Sequence, residues 1–136
     1  MITAVDSSVL FDIVKGAPGA KAAHAALEAA CGQGSLCACE VVVAELGRYF
    51  AKTADLQAFF ADCQMTYSPM SIDAALAASR TMRAYSANKG PRTRVTADFL
   101  IGAHALTQAD TLLTTDGGFF RSYFKGLRVE QPAASA

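Results

Sequence analysis

Four carboxylates in this chain stand where carboxylates are costly to place. Asp6 follows an apolar, β-type run at residues 2–5. Asp116 closes "TLLTTD" in the same manner, with Thr114 two residues earlier on the same face of the strand. Glu45 lies inside "EVVVAELGRYF" and Asp98 in the first turn of "VTADFLIGAHAL". Apolar neighbours surround both, and acids are seldom buried unless paired or metal-bound. At helical spacing the sequence offers Glu45 only Arg48 and Asp98 only Arg94. Carboxylates brought together repel, and some would take up protons; a hard divalent ion relieves the repulsion. Oxygen donors without a suitably spaced His or Cys favour Mg²⁺ or Mn²⁺ over zinc. One or two such ions can activate water and stabilise the leaving oxygen in phosphodiester hydrolysis.

These acids can meet only if the chain delivers them to one edge. Short apolar runs at 2–5, 36–38, 65–67, 111–115 and 127–129 read as strands. Helical patterns at 8–15, 20–30, 40–52, 55–63, 71–88 and 95–107 separate them, with Ser71 as an N-cap and breaks at Gly16–Gly19 and Gly90–Pro91. Strands alternating with helices predict a three-layer α/β/α sandwich around a central, mostly parallel sheet. Every strand of such a sheet sends its carboxyl end to the same crevice, where ligands bind. No repeat or linker appears, so residues 1–130 are expected to form a single domain and 131–136 a loose tail.

The totals exclude several classes. With 136 residues, 52% hydrophobic and 18% charged, the chain is neither disordered nor in need of staples. A net charge of zero rules out a global basic field, so contact with nucleic acid must rely on local clusters. Cys31, Cys37, Cys39 and Cys63 form no CxxC pair and read as buried thiols in a reducing cytoplasm. No apolar stretch reaches the ~20 residues of a membrane span, and a soluble protein is expected.

Taken in order, "VDSSVLFDI", "VVVAEL", "ADFLIGAHAL" and "LLTTDGGFF" resemble the PIN-domain nucleases, and among them the VapC toxins of toxin-antitoxin pairs. The resemblance covers nearly the whole chain. It implies that Asp6, Glu45, Asp98 and Asp116 bind Mg²⁺ or Mn²⁺ for cleavage of RNA, in a homodimer inhibited by a VapB-like antitoxin. Thr114 matches the family's supporting threonine, and Ser8 is expected to cap the first helix and orient Asp6. Cys39 departs from the Ser or Thr that many relatives place before the Glu45 helix, which puts that cap in doubt.

Arg80, Arg83, Lys89, Arg92 and Arg94 fall between Asp73 and Asp98 with no acid among them and are candidate RNA contacts, with Arg121 and Lys125 second. Tyr85 and Phe119 could stack on bases, although packing is the commoner fate of an aromatic. His104 lies about 240° around the helix from Asp98, which points to a packed or hydrogen-bonded ring rather than a general base. Asp12 reads as a helix residue near the pocket mouth, Asp73 as a first-turn acid and Asp110 as a turn. The alternatives are a catalytically silent PIN-like binding module and a housekeeping RNA-processing nuclease. A phosphoryl-accepting receiver domain lacks its strand-end lysine, and a dehalogenase-type phosphatase lacks its D-x-D.

Overall fold

The computed structural model describes residues 1–88 and 94–133. Five strands are assigned: β1 (Ile2–Val5), β2 (Ser35–Ala38), β3 (Met65–Tyr67), β4 (Thr111–Leu113) and β5 (Arg128–Glu130). They form one wholly parallel sheet in the order β3-β2-β1-β4-β5. The helices are α1 (Ser7–Val14), α2 (Ala20–Gln33), α3 (Glu40–Gly47), α4 (Thr53–Asp62), α5 (Ile72–Ala87), α6 (Thr96–Gln108) and α7 (Gly117–Tyr123). The sheet interior has no polar face: β4 is buried at every position, as are β1 and β2 after their first residues. Strands buried on both faces need a helical layer on each, which makes the α/β/α sandwich. Leu10, Leu36, Leu46, Leu112, Phe120 and Phe124 are the largest fully buried aliphatic and phenyl side chains.

Close approach rather than turn geometry explains two glycines. A Cβ on Gly34 would strike the Met1 carbonyl, which accepts the Ser35 N–H at 3.0 Å where β2 joins β1. A Cβ on Gly102, in the middle of α6, would run into the Phe124 ring.

Several elements depart from the sequence expectation. The third helix stops at Gly47 instead of reaching residue 52, and its end tightens through Tyr49 N–H to Leu46 O (3.0 Å) and Phe50 N–H to Gly47 O (3.3 Å). Strand β4 ends at Leu113, although the Thr114 N–H still bonds the Glu130 carbonyl at 3.0 Å. The stretch after Asp116, where the sequence pattern marks no helix, is helix α7, held by burial of Phe119 and Phe120 against the propensity of two glycines. Gln131 is not loose: its amide donates to the Thr115 carbonyl at 3.2 Å and its carbonyl accepts from Arg121 at 2.9 Å. The Gly90–Pro91 break and residues 134–136 lie outside the described residues.

Candidate functional site

The connection from β3 to β4 crosses β1, so the chain reverses its direction of growth between β1 and β4. Ligands of open parallel sheets bind outside the strand ends at such a point. Asp6 leaves β1 there, its N–H donating to Leu113 O at 2.9 Å, and Thr114 and Asp116 leave β4 beside it. A helix leading back into a parallel strand runs antiparallel to the sheet, so α6 starts at this same edge and carries Asp98 in its first turn. Helix α3 leaves β2 at that edge and brings Glu45 on its second turn.

Asp6 is only 5% exposed and makes no ion pair among the described residues. The hydroxyls of Ser8 and Thr114 both donate to its Oδ2, each at 2.8 Å, and fix the plane of the carboxylate. Thr114 in turn accepts the Asp116 N–H at 3.0 Å, and Ser8 accepts that of Thr115 at 3.1 Å. Two hydroxyls thereby tie the ends of β1 and β4 into one unit. Burial raises the Asp6 pKa; its hydroxyl partners oppose the rise, while the charge of Asp98 adds to it. Glu45 is also pushed up, first by burial and then by Asp6 and Asp98, against the Ser7 hydroxyl, which donates to its Oε1 at 2.8 Å, and against Arg48. Asp6, Glu45 and Asp98 therefore share one field with an excess of negative charge.

Asp116 belongs to the outer side of this group. Its side chain is 44% exposed and turned to Arg94, whose Nη1 stands 2.6 Å from Asp116 and 3.7 Å from Asp98. The guanidinium lies over the Phe119 ring, 4.1 Å from its centroid. Among the described residues, no three His, Cys, Asp or Glu side chains are gathered tightly enough to ligate an ion as they stand. The donor chemistry nevertheless fits a hard cation. It is all oxygen, and the innermost carboxylate is buried with hydroxyl partners and no ion pair among the described residues.

Other candidates lie elsewhere. His104 is buried, its Nε2 3.0 Å from the Ser68 hydroxyl, and burial lowers its pKa. Tyr85 and Phe119 are packed with Phe99 and Tyr123 at centroid distances of 4.9 to 6.3 Å, so neither is free to stack on a base. Arg121 is spent on Gln131 and on Val129 O. Arg80 and Arg83 are exposed on α5 with no ion pair among the described residues, Lys125 is exposed, and Lys89 and Arg92 lie outside the described residues. Ser8 does not cap α1, whose N-cap is Asp6. Cys39 caps α3 by position without a side-chain bond. Cys37 and Cys39 are buried but Cys31 and Cys63 only half so, and all four thiols are free. The Asp12 carboxylate abuts Gly19 at the start of α2, and Asp110 accepts the Ile2 N–H at 2.7 Å. Ser7, which holds Glu45, escaped the sequence reading; its only signal was its place directly after Asp6.

The PIN-domain family model matches residues 3–125, and the chain belongs to that family. Three solved structures share its fold closely. VapBC2 from Rickettsia felis, bound to a DNA fragment from its promoter, aligns at TM-score 0.77 and 17% identity over 96% of this chain and 98% of that one. DNA-bound VapBC from Salmonella typhimurium gives 0.73 and 14% over 98% and 99%. VapBC-1 from nontypeable Haemophilus influenzae gives 0.75 and 15% over 96% and 98%. No curated protein sequence matches the chain.

Proposed function

We propose that the chain is a divalent-metal-dependent endoribonuclease, the toxin of a type II toxin-antitoxin pair. Its partners in this reading are an RNA substrate, a VapB-like antitoxin and a second copy of itself, in the cytoplasm. The observation that carries the proposal is the buried Asp6, without an ion pair among the described residues, at the point where the sheet reverses its growth, sharing its field with Glu45 and Asp98. Family membership and the likeness to VapBC structures support it. None of the described helices is long and apolar enough to cross a membrane.

Asp6, Glu45, Asp98 and Asp116 would hold Mg²⁺ or Mn²⁺. When bound, the ion supplies positive charge at the phosphodiester and promotes loss of a proton from water. The protein's own groups prepare that chemistry. Ser8 and Thr114 orient Asp6, Ser7 orients Glu45, and the aromatic packing of α6 against α7 keeps Asp98 and Asp116 at one edge. Arg80 and Arg83, with Lys89 and Arg92, supply phosphate contacts.

Purified protein should cleave single-stranded RNA with Mn²⁺ or Mg²⁺ and stop with EDTA. The Asp6→Asn and Asp98→Asn variants, prepared identically, should be inert. Equal cleavage by wild type and variants would assign the activity to a contaminant.

A further inference from the structure

Resting on the metal-site reading above, we propose that Arg94 stands where a second cation would otherwise bind, so that the chain takes one divalent ion and not two. The four acids divide into two groups. Asp6 is held by the Ser8 and Thr114 hydroxyls and the Ser7 backbone, and Glu45 by the Ser7 hydroxyl with Arg48 at longer range; neither is in ion-pair contact with a base among the described residues. Asp116 and Asp98 instead share one guanidinium, at 2.6 and 3.7 Å. Arg94 is the only cation in ion-pair contact with any of the four acids among the described residues.

Its position is built rather than incidental. The guanidinium rests on the face of Phe119, whose ring is itself buried and packed edge-on against Phe99 at 5.4 Å and Phe120 at 5.0 Å. A cation over an aromatic face gains from the ring quadrupole, and the rigid ring limits where the charge can go. The backbone on either side is fixed as well: Asp98 opens α6, and Asp116 sits at the N-cap position of α7 with its N–H bonded to Thr114. A guanidinium is never deprotonated at working pH, so the charge is permanent.

Electrostatics then decides the count. One dication together with Arg94 cancels three of the four negative charges and leaves the site still attractive to cations. A second dication would make it net positive and would have to share Asp116 or Asp98 with a guanidinium already in contact with both. Like charges at such separations repel strongly in a partly dry site. Arg94 is thus a positioning residue that limits occupancy without touching the ion.

The test is the number of Mn²⁺ ions bound per chain by metal-stripped protein, from the free-ion electron paramagnetic resonance signal during titration. Wild type should bind one and Arg94→Gln two, the second being lost again in Arg94→Gln/Asp116→Asn. Arg94→Lys, which keeps the charge, should bind one. Two ions on wild type or on Arg94→Lys would overturn the proposal, and so would a single ion on a folded Arg94→Gln. Should Arg94→Gln not fold, the counts for wild type and Arg94→Lys decide. No Mn²⁺ on wild type would instead overturn the nuclease reading itself, a different outcome from a miscounted site.

Discussion

Thr114 shows how one buried hydroxyl can serve two strands. It donates to Asp6 at the end of β1 and accepts the N–H of Asp116, so its loss loosens both acids at once. Thr114→Val keeps the volume and removes both bonds. RNA cleavage and Mn²⁺ affinity should fall about 10–100-fold, the usual cost of removing a group that orients a metal ligand, while the thermal midpoint in EDTA changes far less. Asp6 itself makes a pH prediction. Its folded-state pKa is raised above the ordinary 3.8, so below that value the group adds its full share of stability, and the share is lost as pH climbs through the folded value. Without metal, Asp6→Asn should therefore melt higher than wild type at pH 7, with the gap closing toward pH 4. A wild type that melts higher at pH 7 in EDTA would contradict the uncompensated charge. At this scale the positions of the four acids were legible because each breaks an apolar pattern. Ser7 and the reach of Arg94 to Asp116 were not, since spacing from Asp98 suggested only the i,i+4 contact.

Elements show where local signals were outweighed by packing. The alternation of strands and helices was readable because apolar runs and breaks bounded each segment, and β3 and the Ser71 cap fall where the sequence placed them. Helix α7 was not readable: two glycines and three aromatics disfavour a helix locally, and only the burial of Phe119, Phe120 and Phe124 against α5 and α6 makes it stable. Two substitutions test this balance. Ser71→Ala removes the bond to the Ala74 N–H and should cost about 1 kcal/mol, seen as a lower denaturant midpoint at unchanged slope. Gly102→Ala should also destabilise, because crowding the Phe124 ring costs roughly 1–3 kcal/mol and outweighs the helix propensity regained. A gain in stability for Gly102→Ala would show that α6 and Phe124 are not packed as described.

For the whole molecule, the strand order does the assembling. Because the chain turns back across β1, acids at positions 6, 45, 98 and 116 reach one edge from four different elements, an arrangement no local pattern encodes. A ligand that binds only this assembled edge must stabilise the fold: at about 100 times its Kd, Mn²⁺ should add roughly 2.7 kcal/mol to wild type and nothing to Asp6→Asn, as read by denaturant unfolding. The most direct measurement is anomalous diffraction from a crystal soaked in Mn²⁺. A metal site at this edge requires a peak bounded by the carboxylates of Asp6, Glu45 and Asp98 at the carboxyl end of β1. No peak there, or a peak only at acids elsewhere on the surface, would contradict it.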